Sequence, residues 1–179
     1  MAIKPLPEVW LRGPVADVPP LLQPVAHGLL QCREEIQAHV AGLTPGQLWM
    51  RPSGAPSIGF HVRHAAGSLD RLFTYARGEA LSADQHAALR TEGEPDLGPD
   101  AAGALVRAFD AGIERALGQL RSTSEAALPD PRGVGRAQLP STVLGLLFHA
   151  AEHTQRHVGQ VVTTVRVVGA AEQTAVPSS

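Results

Sequence analysis

Residues 149–160 read HAAEHTQRHVGQ, with His149, His153 and His157 at four-residue steps. Residues four apart on an α-helix share a face, one turn above the other. The apolar stripe of this segment runs Val143, Leu147, Ala150, His153, His157, Val161, Val165 and Val168. Pro140 and Ser141 are read as its start and Gly169 as its end. Two histidines therefore fall on a face whose other members are apolar. Buried imidazoles need partners for their ring nitrogens. One metal ion would serve both, given a further ligand from another element. Two other readings are open: the histidines hydrogen-bond one another, or this face is wetter than its pattern suggests.

The rest of the chain supplies partners for such a helix. It has 179 residues, 44% of them apolar, and a formal charge of −2. This length favours one domain with a sizeable core. The balanced charge is unlike the basic excess of a nucleic-acid binder. Aromatics make up only 4%, which favours helices over sheet. Cys32 is the single cysteine, so an intramolecular disulfide and a Cys-rich zinc site are both excluded. No apolar run approaches the ~18 residues of a membrane span. The first residues lack the basic-then-apolar order of a signal peptide, so the cytoplasm is the expected location.

Three further stripes have helical spacing. Leu22, Val25, Leu29, Cys32, Ile36, Val40 and Leu43 form the first, after Pro19 and Pro20 in its opening turn. Cys32 is on it and reads as a small buried hydrophobe. His27 and His39 fall off its centre. Ile58, Val62, Ala65, Leu69, Leu72 and Ala76 form the second, with Ser57 as N-cap and Gly78 beyond the end. This helix carries His61 and His64. Periodicity puts His61 nearer the stripe, but wheel angles are too coarse to decide which of the two points inward. Leu105, Phe109, Ile113, Leu117 and Leu120 form the third, opened by Asp100. Asp110 and Glu114 lie off that stripe and read as a solvated pair.

The connections are polar. Residues 1–18 hold Pro5, Pro7, Gly13 and Pro14 and read as an extended arm anchored by Trp10 and Leu11. Trp49 and Met50 are expected to plug one end of the bundle. Residues 79–100 are long and polar, with a short helix over 83–91 and an exposed His86. Residues 122–139 form a second connection, whose Arg132 and Arg136 flank an opening. Residues 170–179 read as a flexible tail, leaving 19–169 as an all-α four-helix bundle, a fold that builds metal sites from facing helices. A histidine of the second helix would supply the third imidazole. Gln160 and Asp70 are candidates to support the imidazoles, while Glu152 and Arg156 read as a surface ion pair.

Two stretches carry a resemblance. SIGFHVRHAAGSLDRLFTYARGE, with Ser57 seven residues before His64, resembles the second-helix motif of the DinB/YfiT superfamily. AEHTQRHVGQVVTTVRVVG resembles its fourth-helix motif, HxxxH followed by a small residue and Gln, here Gly159 and Gln160. The similarity spans roughly residues 20–170 and the order of all four helices. It implies a bundle of up-down-down-up order, with residues 79–100 as a crossover. It also implies a divalent metal held by His64, His153 and His157, with His61 and His149 as extra histidines that support or substitute for a ligand. Homodimers are common in the superfamily.

Some members are similar to transferases or isomerases that use a low-molecular-weight thiol such as bacillithiol or mycothiol. The expected function is accordingly a metal-dependent enzyme acting on small molecules. A hydrolase and a non-catalytic metal or ligand binder in a stress response are the alternatives. Three imidazoles leave coordination positions open for water or a thiolate, and suit Zn²⁺, Ni²⁺ or Fe²⁺.

Overall fold

The computed structural model describes residues 6–175. Four long helices carry the stripes: α1 (Gln23–Val40), α3 (Ile58–Ala76), α5 (Ala101–Ser122) and α6 (Val143–Ala175). Two short helices lie between them, α2 (Pro45–Trp49) and α4 (Ala83–Thr91), the latter over the residues expected from the sequence. No helix among the described residues is long and apolar enough to cross a membrane.

Each long helix turns its stripe inward. Leu29 and Ile36 of α1, Ile58 and Leu69 of α3, Phe109 and Ile113 of α5, and Leu147 of α6 are fully buried in one core. α1 packs on α5 and α6, and α3 packs on the same two helices, so α1 and α3 occupy opposite corners. Across the α1–α5 seam Gln37 meets Asp110 and Arg33 meets Glu114, an antiparallel pairing. Between α3 and α5, Val62 and Leu105 line one cavity and Phe73 meets Gln119 further along, a parallel pairing.

Local signals set the helix ends. The Ser57 hydroxyl accepts from Phe60 N at 3.2 Å and starts α3. Gly78, with φ of +80°, ends it by turning the chain through the left-handed region. α4 begins in a capping box of Ser82 and Gln85, and the Gln85 amide then reaches Asp70 and Thr74 of α3. The crossover is thereby fastened along α3.

Several expectations are corrected. The fold is not purely helical. Pro131–Val134 (β1) and Leu139–Thr142 (β2) pair antiparallel, with Pro131 opposite Thr142 and Val134 opposite Leu139. Pro140 and Ser141 belong to β2, and α6 starts at Val143, with the Thr142 hydroxyl accepting from Gly145 N at 3.0 Å. Gly169 does not end α6, which continues to Ala175. A glycine stops a helix only where the backbone turns left-handed, and Gly169 does not. In the N-terminal segment Trp10 and Leu11 are 61% and 57% exposed, whereas Val9 and Val18 are buried. The segment is held by Val9 N on Gln31 Oε1, by Arg12 on Glu34, and by Gln23 on the backbone of Val15 and Val18. Residues 1–5 and 176–179 of the expected arm and tail lie outside the described residues.

Candidate metal centre

The buried line of α6 passes through Leu147, Ala150, Thr154, Val158 and Val161. His153 and His157 lie one position to its side, half-buried, facing α3. The expected stripe thus holds at Val143, Leu147, Ala150, Val161 and Val168 and is displaced only at the two histidines, where Thr154 and Val158 take the buried positions. At this seam His61 is opposite His157 and His64 is opposite His153, so α3 and α6 run antiparallel. His61 Nδ1 is 3.0 Å from His157 Nδ1, and His64 Nε2 is 3.1 Å from His153 Nε2. His64, His153 and His157 each offer a nitrogen within 4.8 Å of the others, a group that could hold a metal ion.

Both helix-two histidines face the seam. His61 is the more buried, 4% exposed, and touches only His157 among the α6 imidazoles. His64 is half-buried and its ring lies beside both His153 and His157, with centroids at 5.3 and 4.5 Å. His149 is exposed and faces Glu152 Oε2 at 3.2 Å, while its ring is 5.5 Å from that of His153. It borders the group without joining it.

Burial pushes the His61, His153 and His157 imidazoles down, and the neighbouring His64 adds to this in each case. His157 is lowered to about 4. These three are neutral at pH 7, the form that binds metals. His153 Nδ1 is buried and has no hydrogen-bond partner among the described residues. An unsatisfied buried nitrogen costs about 1–3 kcal/mol. Neutral His153 and His157 imidazoles and convergent nitrogens are compatible with a bound cation.

Three residues here were not anticipated from the sequence. Glu92, at the end of α4, is buried and accepts from His64 Nδ1 at 2.7 Å and from Arg71 at 2.8 Å. Burial pushes its carboxyl up, but the hydrogen bonds from His64 and Arg71 and the Arg71 charge hold it below its ordinary value. Arg71 is the second such residue. Phe60 is the third, stacked on His64 at 5.4 Å between centroids and edge-on to His61. Glu92 lies in a polar connection whose pattern says nothing of burial. The only sequence signal was the i, i+7 spacing of His64 and Arg71 on one helix face.

The other named residues lie elsewhere. Asp70 bonds Gln85 at 2.6 Å and Gln160 is exposed. Glu152 and Arg156 do form an exposed pair. Trp49 donates to Asp96 O at 2.8 Å and packs beneath Arg63, and Met50 is exposed. Cys32 is buried, its thiol pushed up to about 12 chiefly by burial. Asp110 and Glu114 are taken up by Gln37 and Arg33. Arg132 caps Ala76 O at 2.9 Å, whereas Arg136 lines a cavity of about 480 Å³ with Tyr75 and His86, at the far end of α3 from the histidines.

No curated protein matches the chain. Among solved structures, a conserved protein from Enterococcus faecalis is similar at 22% identity with a TM-score of 0.63, over 82% of this chain and 96% of that one. At that identity the likeness is one of fold. The family model of the DinB superfamily matches residues 29–161, a span that holds all four histidines of the seam together with Glu92 and Arg71, and the chain belongs to that superfamily.

Proposed function

We propose that His64, His153 and His157 hold a divalent transition metal and that the protein is a metal-dependent enzyme acting on small molecules. The observation that carries this reading is the convergence of one nitrogen from each within 4.8 Å. Three imidazoles are a donor set for Zn²⁺, Ni²⁺ or Fe²⁺. Three protein ligands, rather than four, favour a catalytic over a structural site. Such a metal supplies Lewis acidity, lowering the pKa of a bound thiol or water towards neutrality. The protein's own contribution is to keep the His153 and His157 imidazoles neutral by burial and to set an apolar ring, Phe60, against His64.

A thiol-dependent transfer or isomerisation is the preferred reaction, on the superfamily resemblance alone; the homodimer rests on the same ground. The proposal includes an up-down-down-up bundle, supported by the antiparallel α1–α5 and α3–α6 pairs and the parallel α3–α5 pair.

Elemental analysis of protein purified without a His tag tests the metal. About one metal per chain is expected for a three-ligand site, together with loss of metal in His153→Ala. Metal at 100 times its Kd should stabilise the fold by about 2.7 kcal/mol. Absence of stoichiometric metal, with an unchanged melting response of His153→Ala to Zn²⁺ or Ni²⁺, overturns the metal reading. Metal-loaded protein is then incubated with a thiol and a panel of electrophiles. Turnover above that of His64→Ala supports transfer, turnover without the thiol points to hydrolysis, and neither leaves a non-catalytic binder.

A further inference from the structure

We propose that Glu92 and Arg71 form a positioning pair that sets the tautomer and pose of His64, so that the crossover connection helps to build the metal centre. The inference rests on reading His64 as a ligand. His64, Gly67 and Arg71 lie at i, i+3 and i+7, along one face of α3. Glu92 comes down on that face from the end of α4 and is only 6% exposed. Both its oxygens are used: Oε2 accepts from His64 Nδ1 at 2.7 Å and Oε1 from Arg71 at 2.8 Å. Gly67 makes the room. A methyl group there would lie 2.7 Å from Glu92 Oε1 and 2.8 Å from the Arg71 guanidinium.

An ionised carboxylate only accepts hydrogen bonds. His64 must therefore carry its hydrogen on Nδ1, which leaves the Nε2 lone pair facing α6. The hydrogen bond made by one ring nitrogen fixes which of the two is free for a metal. Arg71 compensates the buried charge that this arrangement requires. The connection is fastened nearby as well, since Arg63 reaches the backbone oxygens of Thr91 and Glu94. Metal occupancy and the docking of the crossover are thus linked through one carboxylate.

Long-range ¹H–¹⁵N NMR of the metal-free wild type reads the tautomer directly. His64 is expected with its proton on Nδ1, and a proton on Nε2 overturns the proposal. Zn²⁺ competition against a chromophoric chelator gives the second readout. Glu92→Ala should bind zinc about 10- to 100-fold more weakly than wild type and release the His64 tautomer to Nε2–H. Glu92→Gln, which keeps an acceptor, should restore the tautomer and part of the affinity. Gly67→Ala keeps both charged groups and displaces only flexible side-chain ends, so it should fold while also weakening zinc binding. It stands in if Glu92→Ala does not fold. Wild-type affinity in both Glu92→Ala and Gly67→Ala, with stoichiometric zinc in the wild type, overturns the positioning role alone. A wild type that binds no zinc overturns the metal reading instead, and the NMR result still decides the role of Glu92.

Discussion

His61 and His157 face each other through like atoms, Nδ1 to Nδ1, at 3.0 Å. At this distance one ring must donate and the other accept, since two lone pairs would repel. His61 has no other α6 imidazole within hydrogen-bond reach, which makes it a support for His157 rather than part of the convergent group. Substituting His61 should therefore weaken zinc binding about tenfold, at the low end for an outer partner of a ligand, while keeping the metal-to-chain ratio. His64→Ala, His153→Ala and His157→Ala should each abolish stoichiometric binding. Calorimetric titration separates the two classes, and loss of stoichiometry in His61→Ala would make His61 a ligand.

Acid should destabilise the metal-free protein through the same cluster. His157 is lowered from 6.5 to about 4 by burial and by the neighbouring histidines, and His61 and His153 are lowered too. Between these pKa values the unfolded chain binds more protons than the folded one. Stability then falls as pH drops from about 6.5 towards 4. Melting temperatures across this range, in the presence of a chelator, should decline more steeply for wild type than for His157→Gln. Parallel profiles would show that His157 is protonated as readily in the fold as in the unfolded chain.

The bundle was legible because four stripes at helical spacing must each be buried, and no other element could cover them. Phe109 illustrates the point: it is the largest fully buried side chain, on the stripe of α5. Phe109→Ala should cost about 3–5 kcal/mol through lost burial and the cavity left behind, read as a shift in the urea midpoint without a change in slope. The candidate site was legible only in outline. A histidine fits a buried or a half-wet position equally well, so the pattern could not tell His153 and His157 from their neighbours Thr154 and Val158. Glu92 was invisible because its partners are 28 and 21 residues away and no periodicity links them. The hairpin was missed because Gly133, Gly135 and Pro140 are turn residues by composition. A two-stranded pair tolerates Pro140, since an edge strand can spare its N–H.

The last prediction concerns Gly59, on the first turn of α3, two residues before His61. Its Cα lies directly under the Trp49 indole: a methyl group there would be 2.7–2.9 Å from three ring atoms. Unlike the side-chain ends beside Gly67, the indole is rigid, and it is pinned by its Nε1 bond to Asp96 O. Gly59→Ala gains helix propensity of up to about 1 kcal/mol, but it must push the ring away from α3. Overpacking of this kind costs about 1–3 kcal/mol. The net change should be destabilising, and Trp49 should leave its present environment. Because Asp96 belongs to the crossover, the Asp96 end of that connection should loosen with it. Hydrogen exchange is expected to rise over residues 92–98 before it rises in the core of α3. Tryptophan fluorescence gives a second readout, a red shift from Trp49, with Trp10 already exposed and so little changed. An unshifted spectrum with a raised melting temperature would mean that the indole moves aside freely and that its bond to Asp96 does not hold the crossover.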